Sequence, residues 1–195
     1  MGLIEFRKKE DLQKKHTCIS QAGFQNLGKP PVKCIGHPYE TLSESIGVLH
    51  HGDVVNFWTF GRYALYDIVG YILKQTGPAD VQMCTWAIST RAAEFLLTLK
   101  RKGLLRSFRL WIDPRVKVRN PVPMQIIHKN WEYAIAPVHA KVATISNDKW
   151  KISVFGSLNL TSNPQPERGC IMCVPEVFER DNNFINEIFK SNGTE

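Results

Sequence analysis

The spacing of hydrophobic positions alternates along the chain between the strand period and the helix period, and each change marks a predicted element. The stretch "DVVNFW" predicts a buried strand, and "VQMCTWAI" and "SFRLWID" predict two more. Between the last two, "TRAAEFLLTLKRKG" predicts a helix with Ser89 as its N-cap and Gly103 as its stop. Another helix follows the first strand and ends at Gly77, with apolar positions Leu65, Ile68, Val69, Ile72 and Leu73.

The carboxyl-terminal half continues this alternation. A short helical piece is predicted around residues 124–129, and two alternating apolar runs after "WEYAIAP" predict a hairpin with its turn near Asn147 and Asp148. "GCIMCVP" predicts an apolar strand, and "EVFERDNNFINEIFKS" predicts an amphipathic terminal helix. This order of elements favours the α/β class, specifically an α/β/α layered sandwich with a mixed, largely buried β-sheet.

The first 47 residues differ in composition from the rest. They are polar and basic, and Pro30 and Pro31 forbid a regular helix there. We therefore expect an N-terminal basic extension over residues 1–47, partly irregular, and a domain over residues 48–195. The extension contains the zinc-type residues His16, Cys18, Cys34 and His37. The single residue between His16 and Cys18 is short for a structural zinc site, so no metal site is predicted.

Most of the positive charge falls in one segment. The chain carries a formal net charge of +7, and residues 100–119 contain eight basic residues against one acid, Asp113. Concentrated positive charge attracts polyanions such as nucleic acid, although a solvated helix end beside a charged hairpin would give the same pattern. The segment contributes the predicted nucleic-acid-binding residues Lys100, Arg101, Lys102, Arg106, Arg115, Lys117 and Arg119.

Cysteine usage and hydropathy bear on the compartment. The chain has five cysteines, and its sequence shows neither a secretory signal nor an apolar run of the roughly 18 residues that a membrane span needs. We expect a cytoplasmic protein with reduced thiols and no membrane partner. Cys170 and Cys173 form a CxxC pattern, but residues three apart on a strand face opposite sides, so core packing is the favoured interpretation.

Polar residues gather where the predicted hairpin strands begin and end. His139 and Lys141 are two apart, as are Ser157 and Asn159, so each pair shares a face if it lies on a strand. An imidazole can attack phosphorus or move a proton, Lys supplies positive charge to phosphate oxygens, and Asn supplies neutral donors. Glu167 follows, and a carboxylate near an imidazole can fix its tautomer. The sequence therefore predicts a phosphate-directed site.

The local motifs support a family resemblance. "HAK", "GSLNLTSN" and "PERG" resemble the HxK, GSxN and following Glu of the phospholipase D superfamily, and the order of elements is similar to one repeat of that fold. The resemblance implies that His139 is the nucleophile or the acid, that Lys141 and Asn159 bind phosphate, that Ser157 supports it, and that Glu167 orients His139. It implies no cofactor and no metal.

The resemblance also implies an assembly, and the chain departs from the family pattern at position 146 and in a distance from His139 to Ser157 that is three residues longer than usual. Such enzymes need two motifs and this chain has one, which implies a homodimer with a shared site. The family pattern places an Asp at position 146, where this chain has Ser146. We expect a metal-independent phosphodiesterase, a nuclease that acts through a phosphohistidine. A catalytically lapsed nucleic-acid-binding protein is the alternative, and a phospholipid-acting phosphodiesterase is less favoured because no membrane-binding helix is visible.

Overall fold

The computed structural model describes residues 32–34, 41–59 and 61–192 of the chain. Within these residues, eight strands form one mixed sheet in the order β1-β2-β8-β7-β6-β3-β4-β5. The strands are β1 (Val32–Cys34), β2 (Val54–Trp58), β3 (Ala79–Thr85), β4 (Leu105–Ile112), β5 (Glu132–Ile135), β6 (Val142–Ser146), β7 (Lys151–Gly156) and β8 (Arg168–Met172).

Helices cover both faces of the sheet. The described helices are α1 (Leu42–Ile46), α2 (Leu65–Thr76), α3 (Thr90–Arg101), α4 (Pro114–Arg119), α5 (Pro121–Asn130) and α6 (Pro175–Asn192). Helices α2, α3 and α5 contribute buried apolar residues to the main core, and α6 crosses the other face from β7 to β5. The fold is therefore the α/β/α sandwich with a mixed sheet that the sequence predicts.

The strand directions bring several chain segments to one edge of the sheet. Strands β3, β4 and β5 run parallel, whereas β6 runs antiparallel to β3, β7 to β6, and β8 to β7. The carboxyl ends of β3, β4 and β7 therefore lie beside the amino ends of β6 and β8. We call this the site edge, marked by Thr85, Ile112, Val142, Gly156 and Arg168. The opposite edge carries the turn between β6 and β7, and we call it the hairpin edge.

The two faces of the sheet are buried in different ways. The face under α2 and α3 is apolar and includes Met83, Ala143 and Val154, all fully buried. The face under α6 carries a polar row, Gln82, Thr144 and Ser153, which stand side by side on β3, β6 and β7. Gln82 Nε2 donates to Asn182 Oδ1 at 2.8 Å and to Asn186 Oδ1 at 3.1 Å, and Thr144 Oγ1 lies 3.3 Å from Asn182 Oδ1.

Several details refine the sequence predictions. The predicted hairpin forms, with Asn147 Oδ1 accepting from the backbone N–H groups of Lys149 and Trp150 in its turn. The helical region after β4 begins earlier than residues 124–129. Asp113 caps α4 and Pro114 occupies its first turn, two start signals that the sequence contains. Cys170 and Cys173 are both buried, as predicted.

Part of the predicted N-terminal extension lies in the fold. Strand β1 pairs in parallel with β2, and Ile46 of α1 is buried in the main core. Both elements fall within residues 1–47. The zinc-type residues His16, Cys18 and His37 lie outside the described residues.

Candidate active site

The segment between β5 and β6 presents His139 outward. Three side chains at the carboxyl ends of β3 and β4 bind this segment. Their contacts fall on every second residue of the segment. Trp111 Nε1 donates to the Ala136 carbonyl at 2.9 Å, and the Val138 N–H donates to Asp113 Oδ2 at 3.3 Å. The Cys84 thiol contacts the Ala140 carbonyl at 3.8 Å. Val138 is buried and His139 is exposed, so the backbone is fixed while the imidazole faces solvent.

Lys141 lies directly beneath His139. Its Nζ donates to the His139 carbonyl at 2.6 Å and lies 3.3 Å from His139 Nδ1. The side chain is 7% exposed, and this burial lowers the pKa of the ammonium, an effect that the nearby charge of Glu167 opposes. A charged Lys141 is a donor only, so Nδ1 accepts and the neutral imidazole carries its proton on Nε2.

The GSxN segment continues β7 at the same edge. The Gly156 N–H donates to the Lys141 carbonyl at 3.2 Å, which places the two motifs side by side. Leu158 and Leu160 are buried in the main core, and between them the Asn159 carbonyl accepts from the Leu65 N–H at 3.3 Å. This alternation exposes Ser157 and leaves Asn159 half-buried, with Asn159 Oδ1 accepting from Thr85 Oγ1 at 3.4 Å.

The remaining group of the site is Glu167. Its carboxylate is nearly buried, and it accepts a short hydrogen bond from Ser157 Oγ and a 2.6 Å bond from Asn163 Nδ2. Among the described residues, it accepts none from His139, whose Nδ1 faces Lys141. The structure thus brings all five predicted site residues to the site edge, but the contact between Glu167 and His139 that the resemblance implies is not formed in this chain.

The basic segment is divided between the two edges of the sheet. Arg115 and Arg119 lie on α4, which leaves the site edge, and the side chain of Lys117 on the same helix lies outside the described part of the structure. Four other residues, Lys100, Arg101, Lys102 and Arg106, lie near the hairpin edge. There Arg106 pairs with Asp80 at 2.7 Å. The segment is therefore two separate basic groups, and only the one on α4 adjoins His139.

Position 146, where the family pattern has an Asp, lies far from His139. Ser146 ends β6 at the hairpin edge, where it pairs in register with Asp80. Asp148 follows in the turn, and Arg106 Nη1 lies 3.7 Å from its carboxylate. A side chain at position 146 therefore cannot reach a group bound at the site edge, because the length of β6 separates them.

The structure adds residues that the sequence analysis missed. The sequence indicates Asp113 only as the lone acid of the basic segment, and Trp86 and Trp111 only as apolar positions. All three follow or end the parallel strands β3 and β4, and side chains at the carboxyl ends of such strands commonly form sites in α/β folds. Their position at the carboxyl ends of parallel strands is the feature of the sequence that could have identified them as site residues.

Gly156 is required by the close approach of β8. A Cβ at this position would lie 2.2 Å from the Arg168 carbonyl oxygen and 2.8 Å from Gly169 Cα. Both are backbone atoms that cannot move without breaking the pairing of β7 with β8. We expect Gly156→Ala to lower the free energy of unfolding by about 1–3 kcal/mol, measured by urea denaturation. Lys151→Ala, an exposed change on the same strand, is the control, and equal midpoints for the two variants would contradict this reading.

Comparison with solved structures gives the class of fold. The chain is similar to Nuc from Salmonella typhimurium, a phospholipase D family member, with a TM-score of 0.53 and 14% identity over 72% of this chain and 95% of that one. It is similar to NucT from Helicobacter pylori with a TM-score of 0.54 and 16% identity, over 71% and 98% of the two chains. A polyphosphate kinase from Porphyromonas gingivalis gives a TM-score of 0.53 at 9% identity, over 69% of this chain and 26% of the kinase.

These likenesses define the protein first as an α/β/α sandwich. More narrowly, it has the phospholipase D-like fold, as the sequence motifs predict. No family model and no curated protein matches the sequence.

Neither a metal site nor a membrane-spanning helix is found in the described residues. No group of three or more His, Cys, Asp or Glu side chains there is placed to hold a metal ion. None of the helices in the described ranges is long and apolar enough to cross a membrane.

Proposed function

We propose that the protein is a phosphodiesterase that cleaves nucleic acid without a metal, through a phosphohistidine at His139. The observation that carries this proposal is the pairing of an exposed imidazole with a buried ammonium, His139 over Lys141, beside Ser157 and Glu167 at one edge of the sheet. The donors at this edge include an ammonium and an amide, which suit phosphate oxygens better than a metal cation.

The proposed reaction uses two copies of the site. Nε2 of one His139 attacks phosphorus, the bond from phosphorus to the leaving oxygen breaks, and the second copy's His139, protonated as an imidazolium, passes its Nε2 proton to that oxygen. Water then attacks phosphorus, the P–N bond breaks, and the water proton passes to the second imidazole. The attacking ring must carry its proton on Nδ1, and the resemblance implies Glu167 as its acceptor.

Exposure of the site supports a shared arrangement. His139, Gly156 and Ser157 are all exposed in the single chain, so the reacting groups lie on an open edge and not in an enclosed pocket. A second copy facing this edge would supply the second imidazole and exclude water from the reacting phosphate. We therefore propose a homodimer as the active form.

The alternative is a lapsed member that binds nucleic acid without cleaving it. Its sequence basis is Ser146 in place of the pattern Asp. The position of Ser146 at the hairpin edge weakens that argument, because the substitution changes no group beside His139. The intact set of His139, Lys141, Asn159 and Glu167 favours cleavage.

The direct test is cleavage of single- and double-stranded DNA and RNA by the purified protein in excess EDTA. We expect cutting of at least one polymer class that EDTA does not reduce, since the proposed chemistry uses only side chains. Cutting that EDTA abolishes would refute the metal-independent mechanism. Tight binding with no cutting of any of the four polymers would favour the lapsed binding protein.

A further inference from the structure

An arginine and the candidate catalytic histidine contact the same indole ring. Arg115 Cζ lies 5.0 Å from the centroid of the Trp86 ring, and the ring centroids of Trp86 and His139 are 5.7 Å apart. The Trp86 Nε1–H is buried and has no partner among the described residues, so these contacts and packing orient the indole. A guanidinium that lies over an aromatic face keeps its donors free in its own plane. Trp86 thus holds Arg115 beside His139.

Asp113 fixes the direction of this guanidinium. Asp113 Oδ1 accepts from Arg115 Nε at 2.6 Å, and Oδ2 accepts from Nη2 at 2.9 Å. The hydrogen bond from Arg115 lowers the pKa of the Asp113 carboxyl to about 2, so the pair stays charged at neutral pH. Arg115 Nη1 makes no hydrogen bond within the described ranges, and the side chain is 55% exposed. A guanidinium fixed in this way loses little conformational freedom when it binds an anion.

We propose that Arg115, stacked on Trp86 and held by Asp113, binds a phosphate that neighbours the cleaved one and thereby selects polymeric phosphodiesters over single diesters. This inference rests on the proposed function. The guanidinium and the imidazole both contact the Trp86 ring, so the separation between them is at most the sum of their two distances from that ring. Successive phosphates of one strand are separated by a single nucleotide, so a guanidinium this close to the imidazole can contact a phosphate next to the cleaved one. A single diester has no phosphate at that distance.

Other basic residues do not fit this role equally well. Arg106 is paired with Asp80 at the hairpin edge, and Lys100 Nζ donates to the Asn130 carbonyl at 2.9 Å on the same side of the fold. Arg109 lies under α6, where it contacts Asn186 and the Phe189 ring. Among the described basic residues of the segment 100–119, Arg115 is the one whose side chain contacts Trp86, the ring that lies against His139.

Binding can be measured separately from cleavage in the His139→Ala background. A short labelled single-stranded oligonucleotide is titrated in EDTA and followed by fluorescence anisotropy at several salt concentrations. We expect Arg115→Ala to raise Kd about tenfold and to reduce the slope of log Kd against log salt by about one, because one phosphate contact is lost. Arg115→Lys should restore the slope but only part of the affinity, since an ammonium cannot replace the bidentate bond to Asp113.

The matched control is Lys74→Ala, which removes one exposed positive charge where α2 ends at the hairpin edge. It should leave both Kd and the salt slope unchanged. The inference is overturned if Arg115→Ala binds with the parent's affinity and slope, if Lys74→Ala weakens binding equally, or if the parent does not bind the oligonucleotide.

A kinetic comparison in the active protein tests selection between substrates. Arg115→Ala should lower kcat/KM for the oligonucleotide about tenfold more than it lowers kcat/KM for bis(p-nitrophenyl) phosphate. Equal losses on both substrates would show that Arg115 acts on the cleaved group itself and would overturn the selection. If the parent cleaves neither substrate, the proposed function fails, and the binding measurement still decides the role of Arg115.

Discussion

Replacing His139 with alanine is expected to reduce nucleic-acid cleavage in EDTA by at least about 10³-fold, because both the attacking atom and the proton donor are lost. Binding of the same polymer should change little, since Lys141 and Arg115 remain. The exposed imidazole contributes little to packing, so the thermal midpoint should stay close to that of the parent. Initial rates, anisotropy and a thermal melt measure the three quantities.

His128 supplies the control for this experiment. It is also exposed, its Nδ1 lies 3.1 Å from the Tyr133 hydroxyl, and it occupies the end of α5 away from the site edge. His128→Ala should retain full activity. Residual cutting by His139→Ala at the parental rate would mean that the site is misassigned or that a contaminant is responsible.

Mixing the parent with His139→Ala extends the same prediction to the dimer. If each site needs an imidazole from both copies, equal amounts of the two proteins after subunit exchange leave about a quarter of the dimers active. Activity that falls only to one half would indicate that each copy works alone. Light scattering coupled to size exclusion gives the oligomeric state independently.

Asp113→Asn is expected to lower both the free energy of unfolding and kcat. The carboxylate is 2% exposed and joins the start of α4, the Arg115 guanidinium and the Val138 N–H. An amide cannot keep the charged bonds to Arg115, so the free energy of unfolding at neutral pH should fall by about 2–3 kcal/mol. Release of the segment that carries His139 should also lower kcat by about 10–100-fold, since small misplacements of reacting groups are costly.

The pH dependence distinguishes this carboxylate from others. The pKa of Asp113 is lowered from its ordinary value of 3.8 to about 2, chiefly by the hydrogen bond from Arg115. A lowered folded-state pKa adds stability that is fully present above pH 3.8 and is lost as the pH falls through 2. The gap between parent and Asp113→Asn should therefore be largest near pH 7 and shrink below pH 4.

The control for this pH series is Asp148→Asn. Its carboxylate is 95% exposed in the turn at the hairpin edge, so the substitution should change stability little at any pH. Thermal midpoints across the pH range, recorded for both variants and the parent, measure the effect. A gap between parent and Asp113→Asn that persists undiminished at pH 2 would contradict the assignment.

Local sequence patterns predicted the elements and the main motifs well. The period-two runs on both sides of Asn147 produced the hairpin, and the buried residues Leu158 and Leu160 alternate with the more exposed Ser157 and Asn159. These features depend on neighbours within a few residues, and such neighbours are visible in the sequence. The layered fold followed from the order of strands and helices.

Long-range pairing was not predictable in the same way. The basic residues of the segment 100–119 are contiguous in sequence, yet β4 carries the chain from the hairpin edge to the site edge and separates them. Asp113 binds Val138 across 25 residues, and no periodicity reveals that contact. Glu167 accepts hydrogen bonds from Ser157 and Asn163. These partners likewise depend on how the loops pack together, which the sequence does not show.

The polar row beneath α6 restricts how the terminal helix can dock. A purely apolar face would tolerate a slide of one helical turn, about 5.4 Å, with modest loss. Here such a slide would take Asn182 and Asn186 away from Gln82 and Thr144 and leave buried amides and a hydroxyl unpaired. The row therefore fixes the register of α6 on the sheet. The helix packs in one position, and we expect it to dock and detach as a unit.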